Sequence, residues 1–342
     1  MKNNFKKYLK KFHPFIVSEI GINHFGSLKI AKKMVDEIYK SGGKIIKSQL
    51  HILNEEMSEE AKKIKPSNAK TSIYRVIQKN CLSINDEIKL KNYIEKKKML
   101  YICTPFSLLA AKILNKLKIQ IFKIGSGEFN NFPLLDEICK FKKLMILSTG
   151  MNDMQSIEQT VNFLIKRKAK FALMHCISEY PAKYENLKLD YIKKLKRKFP
   201  NILIGYSDHS SSVIPCLSAI SKGASIIEKH FTLSKKMKGP DISCSMDGIE
   251  LKNLVNSAKI ISLSNGENKK ISKIEKITAQ FAFSSVVATK EILKGEKITK
   301  KNIWVKRPGN GQFTAKQYFM LLGKKSHKKI KKGSQLKLND IK

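Results

Sequence analysis

Eight short apolar runs, separated by segments with helical periodicity, constrain the fold of this chain more than any other feature. The first intervening segment places Leu28, Ala31 and Val35 on one helical face. Strands that alternate with helices eight times predict a closed parallel (β/α)8 barrel, with an open doubly wound sheet as the alternative. The runs are FIVSEIG (15–21), KIIKSQ (44–49), MLYICTP (99–105), IQIFKIGS (119–126), LMILSTG (144–150), KFALMHC (170–176), NILIGYSD (201–208) and SIIEKHF (225–231).

The sequence pattern changes after residue 265, where the alternation of predicted strands and helices ends. The polar stretch SNGENKKISKIEK predicts a linker, 266–278, between a barrel of residues 1–265 and a small β-rich domain of residues 279–342. Within that domain, ILKGEKITKKNI (292–303) and IKKGSQLKLNDI (330–341) share isoleucine, lysine, glycine and a final isoleucine in register. This weak repeat predicts two similar turns in a pseudo-symmetric module.

The charge balance is strongly basic, with 67 lysines and arginines against 28 acidic residues and a formal net charge of +39. Proteins that bind nucleic acid usually concentrate such charge on one face and use arginine to read bases. Here lysines are spread over nearly every segment. The sequence therefore predicts no nucleic-acid partner, and a basic nucleic-acid-binding protein on a barrel scaffold is the non-enzyme alternative.

Cysteine spacing and hydropathy indicate the compartment. The six cysteines never form a CxxC pair, which predicts reduced thiols and no disulfide framework. The basic start of the chain is not followed by the apolar segment of a signal peptide, and no run reaches the ~18 apolar residues of a membrane span. We therefore expect a cytoplasmic protein without a membrane partner.

Polar side chains lie at or just after the C-terminal ends of the predicted strands. In a parallel barrel these ends meet at one mouth, where active sites are found. A single polar residue there is compatible with a hydrogen-bonded structural role, but the repetition at all eight strands favours an active site. The polar residues at these ends are Glu19, Asn23, Lys47, Gln49, Thr104, Lys123, Ser126, Glu128, Ser148, His175, Ser207, Asp208, His209, Glu228 and His230.

Two motifs carry specific chemistry. SDH (207–209) and EKH (228–230) end consecutive strands, so their histidines are expected to converge and to bind a divalent metal with several open positions. The alternative is that each histidine only hydrogen-bonds a nearby carboxylate such as Asp208 or Glu228. FKIGSGE (122–128) is a glycine turn with a lysine that suits a phosphate, or else a simple tight turn. Glu19 and Glu128 are carboxylates placed for proton transfer or for orienting a water.

At this point the sequence resembles a known family. EIGINHFGS, KIIKSQ, TPFS, FKIGSGE, STGM, GYSDHS, IEKHFT, GPD and VKRPGNG occur in the order found in the bacterial N-acetylneuraminate (sialic acid) synthases. The resemblance covers roughly residues 15–342 and implies a TIM barrel followed by an antifreeze-like (SAF) domain. It also implies an enzyme that condenses phosphoenolpyruvate with N-acetylmannosamine and water, giving N-acetylneuraminate and phosphate, in a domain-swapped homodimer.

The resemblance also implies a role for each candidate residue. His209 and His230 match ligands of a divalent metal, with Mn²⁺ expected first and Mg²⁺ or Co²⁺ as alternatives. Glu128 matches a carboxylate beside the attacked carbon. Residues that match the phosphoenolpyruvate pocket are Lys47, Thr104, Lys123, Ser126, Ser148 and Ser207. Residues that match sugar contacts are Glu19, Gln49, Asn68, Tyr180 and Asp241.

The segment around Ser178 bears on the identity of the acceptor sugar. Ser178 stands where several bacterial N-acetylneuraminate synthases have asparagine, and HCISEYP resembles the legionaminate and pseudaminate enzymes. A legionaminate or pseudaminate synthase that uses a related 2-acetamido sugar by the same mechanism is therefore the alternative.

Arg307 is unusual because almost every basic residue of this chain is a lysine. An arginine presents a rigid fork of donors that suits planar oxygen groups. The resemblance implies that Arg307 binds the N-acetyl group of the sugar at the barrel of a neighbouring subunit. The alternative is a turn cap before Pro308 and Gly309 within its own module. The arginines of the chain are Arg75, Arg167, Arg197 and Arg307.

Overall fold

The fold is described from a computed structural model, which describes residues 2–66, 70–266 and 268–341. The chain divides after Asn265 into two compact units. In the first unit, eight parallel strands close into a barrel in the order β1 to β8, which confirms the predicted (β/α)8 fold. The strands are β1 Ile16–Glu19, β2 Ile45–Leu50, β3 Leu100–Pro105, β4 Ile121–Ile124, β5 Leu144–Ser148, β6 Lys170–Cys176, β7 Leu203–Asp208 and β8 Ile227–His230.

Helices follow the strands around the outside of the barrel. In the described part of the chain, none of them is long and apolar enough to span a membrane. The helices of the first unit are α1 Lys2–Lys11, α2 Leu28–Lys40, α3 Leu53–Glu56, α4 Ile73–Asn80, α5 Ile84–Lys96, α6 Leu108–Lys116, α7 Phe132–Lys140, α8 Met154–Lys166, α9 Tyr191–Lys198, α10 Ile214–Ser221 and α11 Gly248–Ser264.

Local sequence explains where these helices begin. Ser27 caps α2 by accepting a hydrogen bond from the backbone of Ile30, and the apolar face predicted for this helix is buried against the strands. Asp247 and Glu250 form a capping box at the start of α11.

The lower half of the barrel interior is apolar and closed. Inward-facing residues of the strands pack there together with Phe5, Phe12 and Phe15, which come from α1 and the segment after it. Side chains of a strand alternate between its two faces, so the next inward positions toward the C-terminal ends follow at steps of two. These positions carry the polar candidates: Lys123 follows Ile121, and Glu228 follows Ile226.

Strand register brings these polar positions to one level. Glu19 lies opposite Lys47 on one side and opposite His230 on the other. Ser207 lies opposite Glu228 in the pairing of β7 with β8. The barrel therefore gathers residues that are more than two hundred positions apart in the sequence.

A buried carboxylic acid lies between α5 and the barrel wall. The Tyr101 hydroxyl donates a hydrogen bond of 2.5 Å to Glu87, and both side chains are buried. Burial raises the pKa of Glu87 to about 7, although the hydrogen bond from Tyr101 acts in the opposite direction. Between pH 4.5 and about 7 the folded protein therefore retains much of a proton that the unfolded chain releases.

The Glu87→Gln substitution should remove this dependence on pH. Because the pKa is raised on folding, the stability due to protonated Glu87 is complete below pH ~4.5 and is lost as the pH rises through about 7. Relative to the variant, the wild type should lose on the order of 2–3 kcal/mol of unfolding free energy between pH 5 and 8. Urea denaturation at both pH values measures this, with Glu95→Gln on the same helix as control. Equal pH slopes for wild type and Glu87→Gln would contradict the prediction.

The second unit is small and β-rich, as predicted. Strand β9, Ser285–Ala288, pairs antiparallel with β10, Ile303–Lys306, over a core that includes Val286 and Ile303. The weak repeat forms a symmetric pair: Ile292 and Ile330 exchange backbone hydrogen bonds of 3.0 and 2.8 Å. The glycines at equivalent positions, Gly295 and Gly333, have φ values of +81° and +82°, which confirms two similar turns.

The stretch predicted as a linker differs from expectation. Helix α12, Lys273–Ala282, begins inside residues 266–278 and belongs to the second unit. Its start is a capping box in which Ser272 and Glu275 each accept a hydrogen bond from the other's backbone. The sequence SKIE, from Ser272 to Glu275, has the spacing of a capping box, which is a helix signal inside the segment that its polar composition predicts to be a linker. A short helix, α13 Tyr318–Leu321, completes the unit.

Candidate active site

A cavity of 320 Å³ opens at the C-terminal ends of the barrel strands. We call it the inner cavity. The predicted residues that line it are Lys47, Gln49, Thr104, Lys123, Ser126, Ser148, Tyr180, Ser207, His209, His230 and Asp241.

The remaining predicted residues lie elsewhere. Glu19 is buried beside the inner cavity, where it accepts a hydrogen bond of 2.8 Å from Gln49. Glu128 lines a neighbouring chamber, and Arg307 belongs to the second unit. Asn68 lies outside the described residues.

The floor of the inner cavity holds two buried lysines around one carboxylate. Lys47 Nζ lies 3.2 Å from Glu228 Oε1 and 3.1 Å from Glu19 Oε2. Lys123 Nζ lies 3.6 Å from the same oxygen of Glu228 and donates a hydrogen bond of 2.7 Å to Ser148. These contacts come from strands β1, β2, β4, β5 and β8, so the closed barrel is what assembles them.

The two lysines of this floor differ in how well their charge is compensated. Burial acts to lower the pKa of Lys47, but Glu19 and Glu228 outweigh it and raise that pKa. Burial alone would raise the pKa of Glu228, but Lys123 and Lys47 outweigh it and lower that pKa to about 2. Burial raises the pKa of Glu19 to about 7, although Lys47 opposes the shift. Burial, assisted by the nearby charge of Lys47, lowers the pKa of Lys123 although Glu228 opposes the shift, so Lys123 is the less compensated of the two lysines. An anionic ligand would supply the missing charge.

Small polar groups surround the same floor. The Thr104 hydroxyl is buried and has no hydrogen-bond partner among the described residues. The backbone amide of Gly150 donates a hydrogen bond of 3.1 Å to Ser126. A Cβ atom at Gly150 would lie 2.7 Å from the Ser126 hydroxyl oxygen and would also collide with Ser178, so a larger residue would displace these two hydroxyl groups. Hydroxyls and lysines in one enclosed space suit a phosphorylated ligand.

The two predicted histidines converge at the rim. Their ring centroids are 5.6 Å apart, and Tyr180 packs over His209 at 4.1 Å. His209 Nδ1 donates to the carbonyl oxygen of Ile177 at 2.7 Å, which leaves the Nε2 lone pair available. His230 Nδ1 is buried, makes no hydrogen bond to a described residue and lies 3.7 Å from Asp241 Oδ2.

These features fit a metal held by two imidazoles. Burial, with His209 nearby, lowers the pKa of His230 well below its ordinary value, so this ring is neutral as a ligand must be. Burial also acts to lower the pKa of His209, but the Cys176 thiol and the Ile177 carbonyl outweigh it and raise that pKa. No group of three or more His, Cys, Asp or Glu side chains that could hold a metal occurs among the described residues.

Asp208 does not bind the histidines, contrary to one alternative raised from the sequence. It faces the helix layer, where its Oδ2 lies 2.6 Å from Lys229 Nζ and its Oδ1 accepts a hydrogen bond of 2.9 Å from Tyr206. Strand alternation explains this, because Lys229 lies between two inward residues of β8. The buried pair stabilises strands β7 and β8 from outside the barrel.

A second cavity, of 350 Å³, adjoins the inner cavity and shares Gln49, Phe106 and Asp241 with it. We call it the outer chamber. Its polar lining includes Glu128, whose carboxylate accepts a hydrogen bond of 2.5 Å from Asn131. Its apolar lining consists of Ile22, Met57, Pro66, Ile73, Val76, Ile77, Phe106 and Pro240.

Several lining residues were not selected from the sequence. The sequence places Glu228 at a strand end, two residues before His230. This spacing predicts that both side chains face the barrel interior. His51 follows Gln49 by the same step. Phe106, Cys176 and Ser178 also line the inner cavity.

Arg307 is exposed on the second unit. The carbonyl oxygen of Pro308 accepts hydrogen bonds from Ser285 at 2.7 Å and from Gln335 at 3.2 Å, so other side chains hold this turn. The Arg307 guanidinium makes no hydrogen bond or ion pair with any residue that the structure describes. A turn cap therefore does not explain this arginine.

Comparison with known proteins identifies the family. The NeuB family profile matches residues 34–270, and the SAF domain profile matches residues 283–342. The chain belongs to the NeuB family. The predicted resemblance and the two-part architecture are thereby confirmed.

Named relatives of this NeuB-family chain differ in their sugars. N,N'-diacetyllegionaminic acid synthase of Campylobacter jejuni is 38% identical over 325 residues, which cover 92% of this chain and 96% of the relative. Human N-acetylneuraminate-9-phosphate synthase is 32% identical over 320 residues, covering 92% and 89%. The protein is therefore an enzyme of the sialic-acid-type synthases.

A solved relative has the same fold. The N-acetylneuraminic acid synthetase of Leptospira borgpetersenii, crystallised with citrate, is 31% identical and superposes with a TM-score of 0.70. The superposition covers 78% of this chain and 90% of that one.

Proposed function

We propose that this NeuB-family enzyme condenses phosphoenolpyruvate with N-acetylmannosamine and water, and releases N-acetylneuraminate and phosphate. The observation that carries the proposal is the floor of two buried lysines, of which Lys123 is incompletely compensated, open to a second chamber large enough for a sugar. Phosphoenolpyruvate brings a phosphate and a carboxylate to the floor. The acceptor occupies the outer chamber.

Residues of the floor bind and orient phosphoenolpyruvate. Lys47 and Lys123 supply positive charge, while Thr104, Ser126 and Ser148 supply hydroxyl groups of the required reach. Held in this way, C3 of phosphoenolpyruvate faces the shared boundary with the outer chamber. There it forms a bond to the aldehyde carbon of the open-chain sugar.

Residues at the boundary act on the acceptor and on water. Gln49 and Asp241 line both spaces and contact sugar hydroxyls. Burial raises the pKa of Asp241 to about 6, so its carboxyl can hold or release a proton near neutral pH. Glu128 orients the water that adds to C2, after which the C2–O bond to phosphate breaks and phosphate leaves.

His209 and His230 would hold a divalent metal, with Mn²⁺ proposed and Mg²⁺ or Co²⁺ as alternatives. When bound, such an ion supplies a Lewis acid for the sugar carbonyl. Tyr180 packs against His209 and fixes the plane of its ring.

Coupled phosphate release tests the proposed reaction. Purified enzyme with phosphoenolpyruvate should release phosphate only when N-acetylmannosamine is present, and a chelator should stop the release. Mass spectrometry should detect N-acetylneuraminate in equal amount. Phosphate release that is independent of any acceptor, or the absence of release with every acetamido sugar, would refute the proposal.

An acceptor with two acetamido groups is the second candidate. The apolar wall of the outer chamber offers surface for additional methyl groups, and the Campylobacter jejuni relative makes a product with two N-acetyl groups by its name. Comparing kcat/KM for N-acetylmannosamine and for the corresponding diacetamido deoxy sugar decides between the two. A more than tenfold preference for the latter would replace the first candidate.

Arg307→Lys should fold normally and lose affinity for N-acetylated acceptors, with little change in the KM for phosphoenolpyruvate. A lysine keeps the charge but loses the fork that matches a planar amide oxygen. We propose that Arg307 acts at the barrel of a second subunit in a domain-swapped homodimer. Steady-state kinetics with each substrate varied in turn measures the expected separation of the two KM values.

A mixing experiment tests the contact between subunits. Inactive Arg307→Ala chains mixed with inactive His230→Ala chains should recover part of the activity, because some mixed dimers then combine intact histidines with an intact arginine. Native mass spectrometry verifies that subunits have exchanged. Exchange without recovered activity would reject the contact.

A further inference from the structure

His51 lies one step beyond Gln49 on the inward side of the chain leaving β2, and it lines the outer chamber. Its Nδ1 lies 2.9 Å from Glu56 Oε1, and its Nε2 lies 3.0 Å from Gln49 Oε1. The side chains of His51 and Glu56 are each only 4% exposed. Both ring nitrogens of this buried histidine therefore lie within hydrogen-bond distance of a neighbouring side chain, which fixes the ring in the wall of the outer chamber.

Both partners of the ring are hydrogen-bond acceptors. The Glu56 carboxylate accepts from His51 and also from the backbone amide of Ile52 at 3.3 Å. The Gln49 oxygen must accept, because the amide nitrogen of Gln49 donates to Glu19 Oε1 at 2.8 Å. A histidine that donates from both nitrogens carries both protons and is an imidazolium.

The surroundings keep this ring in place. His51 stacks on Phe106 with ring centroids 4.2 Å apart and an interplanar angle of 12°. The Glu56 carboxylate, 2.9 Å from the ring, would balance a positive charge on His51 in a buried pair. The pair is separate from His209 and His230, and it contacts neither of them.

We propose that His51 is a positioning residue: as an imidazolium paired with Glu56, it fixes the Gln49 amide so that its NH₂ group serves the acceptor sugar. One N–H of that group donates to Glu19, and the other is left for a hydroxyl of the acceptor. This inference rests on the proposed function, in which Gln49 contacts the acceptor.

The alternative arrangement has the Gln49 amide in the opposite orientation. If His51 were neutral with its single proton toward Glu56, its Nε2 would accept from the amide, and the Gln49 oxygen would turn toward a protonated Glu19. Gln49 would then present a different set of donors to the acceptor. The protonation of His51 thus distinguishes the two arrangements.

Nitrogen NMR of the wild-type protein tests the charge state without relying on activity. Spectra of ¹⁵N-histidine-labelled protein at pH 7 should show both ring nitrogens of His51 protonated, with the signals assigned by their loss in His51→Gln. One unprotonated ring nitrogen would overturn the proposal. Because this readout needs no turnover, it stands apart from a failure of the proposed reaction.

Kinetics tests the positioning role. His51→Phe keeps a ring to stack on Phe106 but removes both donors, so the acceptor KM should rise about tenfold or more while the phosphoenolpyruvate KM stays within about twofold. The matched control is His175→Phe, since His175 is a buried histidine that binds the Leu187 carbonyl at 2.7 Å and does not line either cavity.

Each outcome of the kinetics decides something. Equal increases in both KM values would mean a general structural loss and would overturn the assignment. If His51→Phe does not fold, His51→Gln keeps one donor toward Gln49 and should give a smaller change of the acceptor KM. An unchanged acceptor KM in a folded variant would also reject the role.

Discussion

Lys123→Met should raise the KM for phosphoenolpyruvate by roughly ten- to a hundredfold, with little change in the acceptor KM. The lysine is 2% exposed at the floor of the inner cavity, and its ammonium group is the partner of Glu228 and Ser148. Loss of a charge-assisted contact weakens binding by about 1.5–3 kcal/mol, which corresponds to that range. Methionine preserves most of the buried volume, so packing is largely retained.

The control for this prediction is another buried lysine. Lys91 on α5 pairs with Glu95 at 2.6 Å and lies outside both cavities, so Lys91→Met should leave both KM values unchanged. Initial rates of phosphate release with each substrate varied in turn provide the measurement. If Lys123→Met altered only the acceptor KM, the phosphoenolpyruvate pocket would be in the wrong place.

His230→Ala should abolish metal-dependent turnover. Among the described residues, two imidazoles are the strong ligands of this site, so removing one should lower the affinity for the metal by more than the roughly 10- to 100-fold expected for losing a group that merely hydrogen-bonds a ligand. Calorimetric titration of metal-free protein with Mn²⁺ measures the binding directly, and phosphate release measures the reaction. Thermal unfolding checks that the variant remains folded.

His175→Ala is the matched control for His230→Ala. His175 is also on a barrel strand and buried, but its ring binds the Leu187 carbonyl and faces the helix layer. It should retain Mn²⁺ binding and turnover. A metal-stripped His230→Ala protein with full activity would contradict the assignment of the histidine pair.

The barrel and its mouth were predictable from sequence because two simple periodicities determine them. Apolar runs separated by amphipathic segments indicate alternating strands and helices, and the polar residue at each strand end then falls on one rim. Because inward-facing positions of a strand recur at every second residue, an inward-facing His230 also predicts an inward-facing Glu228. The same alternation assigns Asp208 and Lys229 to the opposite face of their strands, which is turned toward the helices.

Other parts of the site depend on hydrogen-bond partners that no spacing rule reveals. His51 acquires its role from Glu56, which lies on the short helix α3, and from the orientation of one amide on Gln49. The start of α12 was concealed by polar composition, although Ser272 and Glu275 carried its capping signal. The role proposed for Arg307 involves a neighbouring subunit, which the sequence of one chain does not position.

The origin of each wall of the two cavities has an evolutionary consequence. Lys47, Lys123 and Glu228 lie on strands that neighbouring strands hold by backbone pairing on both sides. The outer chamber is formed mainly by connecting segments, represented by Ile22 after β1, Phe106 after β3 and Pro240 after β8. Substitutions and insertions in those segments can reshape the chamber while the lysine floor keeps its geometry. One lineage can thus exchange its acceptor sugar and retain its donor chemistry, in keeping with relatives named for different sugars on a shared barrel.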